Sequence, residues 1–181
     1  MSSIFKRKET LNIECKKTIE EEVFLLAKMQ RSAFEPIYQT HKDSASPYLR
    51  GPEDFRNKVG QEQRHLSYTI YCDGMAAGYI LIRLKGSIPF MVSMESNECY
   101  LQRIFIEPKL QRKGIASEAF NQVANILKLI GKETIYVDFP VDLPANKLFF
   151  ESIGFVDTNR TEEVERGLVH SLYVKHFCPT I

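Results

Sequence analysis

The sequence has no tryptophan, and its four cysteines, at positions 15, 72, 99 and 178, include no C-x-x-C pair. That spacing fits neither a zinc site nor a disulfide framework, so no metal is expected and the thiols read as reduced and mostly buried. No apolar run reaches the roughly 18 residues of a membrane span. The N-terminus, Met1 to Glu9, turns charged at once and builds no signal-peptide core. The expected setting is the cytoplasm, with no membrane partner. An excess of one charge is also missing: Lys+Arg number 24 against 23 Asp+Glu. The chain therefore lacks the basic field of a general nucleic-acid binder. Nine glycines and eight prolines exclude collagen-like and linker-like chains. Neither the P-loop pattern G-x-x-x-x-G-K-[ST] nor the dinucleotide pattern G-x-G-x-x-G occurs.

What is present is an ordinary globular composition, 44% hydrophobic and 26% charged over 181 residues. It suits a single domain, residues 1–181, with its own core. Leu11 to Cys15 alternates apolar and polar residues and predicts a first strand. Thr18 and Glu21 make a capping box, opening a helix with Ile19, Val23, Leu26, Ala27 and Ala33 on its apolar face. Residues 35–50, with Pro36 and Pro47, read as an irregular connection. Pro52 starts a second helix with Phe55 and Val59 inward. Asp73-Gly74 between two β-rich runs predicts a hairpin, because both turn residues need positive φ. Residues 86–97 show no clean period and read equally as strand ends or as an apolar loop beside a site.

From position 98 the pattern sharpens. Cys99, Leu101, Arg103 and Phe105 fall on one face of a strand; Glu98, Tyr100, Gln102 and Ile104 fall on the other. Gly114 to Ile130 is an amphipathic helix that Gly131 stops. Thr134 to Phe139 is a strand. Asp142 is expected to cap a short helix running to about Ser152. Phe155–Asn159 and Leu168–Phe177 are the closing strands. The four histidines, 41, 65, 170 and 176, stand in unremarkable settings.

The most informative segment is Gln111-Arg112-Lys113-Gly114-Ile115-Ala116, between a strand and the long helix. A helix start carries about half a positive charge and unpaired N–H groups, so acids are favoured there. Here Lys109, Arg112 and Lys113 stand at the entrance instead. Cations at that end are mildly unfavourable alone, but backbone N–H groups with flanking cations form a cradle for a phosphate.

The stretch Ile104-Phe105-Ile106-Glu107-Pro108 through Ala116 resembles motif A of the GNAT acetyltransferase superfamily, whose signature is Q/R-x-x-G-x-G/A after a V-x-P strand end. Phe149-Phe150-Glu151-Ser152-Ile153-Gly154-Phe155 is similar to the L-Y-x-x-x-G-F close of its motif B. The close match covers about residues 98–157. The resemblance implies an α/β fold of the α+β type. Its mixed, mostly antiparallel central sheet has about six or seven strands flanked by about four helices. It implies an acetyl-CoA-dependent N-acetyltransferase acting on a primary amine of a small molecule, peptide or protein. The alternative is a catalytically weak acyl-CoA-binding or regulatory module. By the same resemblance the coenzyme A pyrophosphate lies on the backbone of Arg112, Lys113, Gly114, Ile115 and Ala116, next to Gln111. The pantetheine arm runs along Ile104, Phe105 and Ile106, and Asn146, Phe149 and Phe150 are further candidates for coenzyme contact. Glu98 and Asp138 are the candidate bases. Where the family often carries a tyrosine that protonates the departing thiolate, this chain has Phe150; Tyr100 or Tyr136 is the replacement to look for. The resemblance assigns substrate choice to about residues 33–66, 86–97 and 160–167, and family habit leaves a homodimer open.

Overall fold

The computed structural model describes residues 10–40, 51–90, 92–165 and 167–177; His41, Arg50 and Cys178 lie outside these residues. The strands are β1 Ile13–Lys17, β2 His65–Cys72, β3 Met75–Arg83, β4 Ser87–Ile88, β5 Val92–Ser93, β6 Glu98–Ile106, β7 Thr134–Pro140, β8 Val156–Glu165 and β9 Leu168–His176. The helices are α1 Val23–Thr40, α2 Pro52–Val59, α3 Ile115–Leu129 and α4 Pro144–Ser152. Seven strands form one sheet in the order β1-β2-β3-β6-β7-β9-β8, and β4 pairs with β5 apart from it. Within the large sheet β6 and β7 run parallel, with α3 in the crossover; the other neighbours are antiparallel.

Burial divides the sheet into two faces. Ile115, Ala119, Phe120, Val123 and Leu127 of α3 pack with Phe150 of α4 against Ile80, Leu101, Ile135 and Val137. On the opposite face Val23, Leu26 and Met29 of α1 and Phe55 of α2 cover Tyr79, Leu81 and Phe105. Farther along that face Ile88 and Phe90, from the β4–β5 hairpin, cover Tyr100 and Leu172. Residues 86–97 are therefore not ends of the flanking strands: β4 and β5 pair with each other apart from the large sheet, and Ile88 and Phe90 form the apolar cover.

The strict alternation expected along β6 fails at one residue. Ile82 pairs with Leu101 but Leu81 pairs with Arg103, so Gln102 is an extra residue, a β-bulge. The bulge exchanges the faces of the residues after it. Cys99 and Leu101 point to the α3 side, whereas Arg103 and Phe105 point to the α1–α2 side. Arg103 is held there by Asp54 of α2, with Nη1 2.7 Å from Oδ2, and lies over the Phe55 ring.

Three boundaries also differ from expectation. Thr18 is buried just past β1 and its amide donates to the Ser67 carbonyl at 2.9 Å, so it extends the contact with β2 instead of capping the helix. The reciprocal cap is one residue later: the Glu22 amide donates to the Ile19 carbonyl at 3.1 Å, and the Ile19 amide to Glu22 Oε2 at 3.0 Å. A 3-10 turn then leads into α1, which continues past Ala33 and through Pro36 to Thr40. Near a helix end proline forfeits one hydrogen bond while keeping a helical φ, so the helix persists for another turn. Finally, Leu143 rather than Asp142 is the N-cap of α4; Pro144 at the first helical position has no N–H to satisfy.

Gly78 sets the spacing of β3 and β6. A Cβ built there would stand 2.2 Å from the Phe105 carbonyl oxygen and 2.8 Å from Ile106 Cδ1. Gly78→Ala is expected to destabilise the fold by about 3 kcal/mol through overpacking. A lower urea midpoint at unchanged slope would register that loss; an unchanged midpoint would show that the two strands part without cost.

Candidate active site

The parallel pairing of β6 with β7 is short. It joins Glu98 to Thr134, Cys99 to Ile135 and Tyr100 to Tyr136, and then stops, although both strands continue. The pair is thus a fork, closed at Glu98 and open from Leu101 and Val137 onward. Its closed end is fastened by Lys132, a buried residue whose Nζ donates to the carbonyls of Leu84, Ser96 and Glu98 at 3.2, 2.7 and 2.8 Å. Burial pulls the Lys132 ammonium below its ordinary pKa.

Beyond the fork point β6 still pairs with β3 on its other edge. The Glu107 amide donates to the Ala77 carbonyl at 2.8 Å. Counting back through the alternating antiparallel ladder turns the backbone groups of Ile104 and Ile106 away from β3 and into the gap. Phe105 spends its backbone groups on Tyr79. The side-chain amide of Gln111 donates to the Ile106 carbonyl at 2.9 Å, tying the loop after β6 to the rim of the gap.

Because the two strands are parallel, both leave the sheet at the same edge, so the N-termini of α3 and α4 stand beside the mouth of the fork. Gly114 caps α3 with φ 82° and ψ −1°, and Arg112 two residues earlier has φ 60°. This geometry leaves the first amides of α3 without helical acceptors. Arg112 and Lys113 are exposed and make no ion pair among the described residues, whereas Lys109 pairs with Glu107 at 3.0 Å. On the other side of the mouth Asn146 and Phe149 are half-buried. Phe150 is buried, stacked on Phe139 with ring centroids 5.0 Å apart. Val141 and Leu148 leave apolar surface exposed nearby.

The wall of the fork on the α1–α2 side of the sheet carries the polar groups. The Tyr100 hydroxyl donates to Asp138 Oδ1. His170 of β9 places Nδ1 2.5 Å from Asp138 Oδ2, with both side chains almost wholly buried. An ionised carboxylate only accepts, so the hydrogen sits on Nδ1. Nε2 of His170 is buried without a partner among the described residues. Behind them the Tyr136 hydroxyl donates to Glu98 Oε1 at 2.8 Å, and the Glu95 amide donates to Glu98 Oε2 at 2.9 Å. Burial, reinforced by the bond to Glu98, pushes the Tyr136 phenol up to about 12. The structure thus brings Glu98, Tyr100 and Asp138 together on one face, with Glu98 at the closed end and Asp138 past the point where the strands part. His170 was not singled out by the sequence. Its position 32 residues after Asp138 acquires meaning only through the β7–β9 pairing. The described cysteines are free thiols set apart from this chemistry: burial raises Cys15 to about 11 and Cys99 to about 12.

No described helix is long and apolar enough to cross a membrane. No curated protein sequence matches the chain. Solved structures do resemble it. A PaiA N-acetyltransferase from Thermoplasma acidophilum, in complex with coenzyme A, superposes with a TM-score of 0.70 at 16% identity, over 92% of this chain and 99% of that one. An acetyltransferase of Salmonella typhimurium that modifies the N-terminal serine of a 50S ribosomal subunit protein gives 0.71 at 16%, over 92% and 95%. A ribosomal-protein alanine N-acetyltransferase from Escherichia coli gives 0.68 at 14%, over 92% and 94%. At such identities these likenesses speak for the fold. The family model described as Acetyltransferase (GNAT) family matches residues 26–155, which spans α1 to the end of α4 and both sides of the fork, and the chain belongs to that family.

Proposed function

We propose that the chain transfers the acetyl group of acetyl-CoA to a primary amine of a peptide, protein or small molecule, by direct attack through a tetrahedral intermediate. The observation that carries this reading is the fork, open between β6 and β7 with proton-handling side chains on one wall and unpaired amides at its mouth. Acetyl-CoA supplies the acyl group as a thioester. The amides from Arg112 to Ala116 suit its diphosphate, and the backbone of Ile104 and Ile106 suits an extended amide-bearing arm. Asn146 and Phe149 line the side opposite Gly114, and Phe150 backs them from the core. Two of the similar structures are enzymes of ribosomal proteins, so a peptide amine falls within the acceptor class.

The acceptor arrives as an ammonium and must shed a proton before it can attack. Asp138 takes that proton, because it stands in the open part of the fork whereas Glu98 lies behind the fork point. His170 is a positioning residue that fixes the Asp138 carboxylate. As the amine nitrogen bonds to the acyl carbon, an amide of β6 without a strand partner donates to the developing oxyanion. Collapse breaks the carbon–sulfur bond. Phe150 has no hydroxyl to protonate the leaving sulfur. Tyr100 provides one: its phenol gives a proton to the thiolate and regains one from the amide nitrogen, while the proton on Asp138 leaves to solvent.

Thiol release from acetyl-CoA, measured with and without a panel of amines, tests this reading. The expected result is amine-dependent release. Coenzyme A binding without it would leave the alternative, an acyl-CoA-binding module of the same fold.

A further inference from the structure

A second concavity lies on the α1–α2 side of the sheet, between α2, the start of β2 and the end of β3. Its volume is about 480 Å³, within the range of small-molecule sites. Lys58, Arg64, Arg83 and Lys85 line it, with Asp54 as the carboxylate of the wall. That carboxylate is already engaged by Lys58 at 2.8 Å and by Arg103 at 2.7 Å. The side chains of Arg64 and Lys85 reach no carboxylate among the described residues. Arg83 donates to the Ser87 carbonyl at 2.7 Å, which leaves its charge uncompensated. His65 also lines the cavity, and its Nδ1 is buried without a partner among the described residues. Burial, with Lys58, Arg83 and Arg64 around the ring, lowers His65 to about 4, so the imidazole is neutral and can offer an N–H. The cavity therefore holds surplus positive charge and an unused hydrogen-bonding group.

Its place in the fold links it to the reaction. Arg83 pairs with Tyr100 across β3 and β6, and its guanidinium lies 5.6 Å from the centre of the Tyr100 ring. Tyr100 in turn bonds Asp138. The donor's diphosphate is not its occupant: the length of β6 from Tyr100 to Ile106, about 20 Å, separates this end of the sheet from the loop leading to Gly114.

We propose that this cavity holds an anionic group of the acetyl acceptor, a carboxylate or a phosphate ester carried on the same molecule as the amine. The inference rests on the acetyl-transfer reading above and adds a substrate class to it. The surplus of cations attracts such acceptors and repels polyamines.

Arginine footprinting with phenylglyoxal, read by peptide mass spectrometry, tests it on the whole chain without requiring turnover. The solutions contain inorganic phosphate, glutarate or coenzyme A, with potassium chloride at matched ionic strength as reference. Phosphate or glutarate is expected to slow labelling of Arg64 by about threefold at twice its Kd. Coenzyme A is expected to protect Arg112 and leave Arg64 at its unprotected rate. Protection by phosphate alone assigns a phosphate ester, and by glutarate alone a carboxylate. Lys85→Glu is expected to abolish Arg64 protection while Arg112 remains protected by coenzyme A, which shows that the variant is folded. Arg64 labelled equally in every solution overturns the anionic pocket and leaves acetyl transfer standing. Arg112 unprotected by coenzyme A overturns the acetyl-transfer reading itself.

Discussion

Asp138→Asn lowers kcat/KM for acetyl transfer by about 100-fold and leaves coenzyme A affinity unchanged; this is the low end of what a positioned acid–base group contributes. Asparagine keeps the size of the side chain and still accepts a hydrogen bond from the Tyr100 hydroxyl. It loses the charge that orients His170 and the capacity to take a proton from the incoming ammonium. Steady-state kinetics across pH, paired with calorimetry of coenzyme A binding, separates this from a folding defect. Glu98→Gln is the control. Gln keeps the bond from Tyr136 and gives up the one from the Glu95 amide, but position 98 lies behind the fork point, so its kcat/KM stays within about threefold of wild type. The reverse pattern, a large loss at Glu98 and none at Asp138, transfers the base to Glu98 and removes the argument from strand separation. His170→Asn is expected to lower kcat less than Asp138→Asn does and to leave KM for the amine unchanged, as suits a residue that acts through another.

What the sequence made legible was whatever short-range chemistry decides. Asp73-Gly74 needs positive φ at both positions, and the turn has it, at 51° and 80°. The apolar stripe of α3 repeats every turn, and a cation-rich entrance with one glycine marks its start. Strand pairing was not legible, and the misassigned faces of β6 stem from it. No local signal distinguishes the bulge at Gln102 from a regular strand, because the bulge exists only relative to β3. It moves Arg103 and Phe105 to the face opposite the one that alternation assigns. The site divides along the same line. Tyr100 and Asp138 lie 38 residues apart and His170 another 32 beyond, so their meeting depends on the order β6-β7-β9 and on nothing near them in the chain. The basic cavity likewise gathers Lys58 from α2, Arg64 from the turn before β2 and Lys85 from the bend after β3, in a chain whose net charge is only +1. Even balance over the whole sequence hides a local surplus, because the carboxylate in the cavity wall, Asp54, is already engaged by Lys58 and Arg103.

Gly114→Glu weakens coenzyme A binding by about 100-fold, equivalent to about 2.7 kcal/mol, while costing the fold itself about 1–2 kcal/mol. Two causes combine, and they can be separated. The residue has φ 82°, a conformation that side-chain-bearing residues adopt only under strain. No atom lies within 4 Å of a Cβ built there, so bulk as such meets no obstacle. Gly114→Ala therefore reports the backbone cost alone, and the further loss in Gly114→Glu reports a carboxylate placed where the unpaired amides of α3 and the charges of Arg112 and Lys113 converge. A site built for a diphosphate makes the second term the larger. Replacing Arg112 and Lys113 together with Gln leaves the backbone untouched, so the affinity falls only about tenfold and depends less on salt. Calorimetry on the three variants, with thermal melts run alongside, reads both quantities. Affinities equal to wild type in Gly114→Glu and in the Gln pair would mean that the amides at the start of α3 hold no anion. The fork would then have to receive its thioester by some other approach.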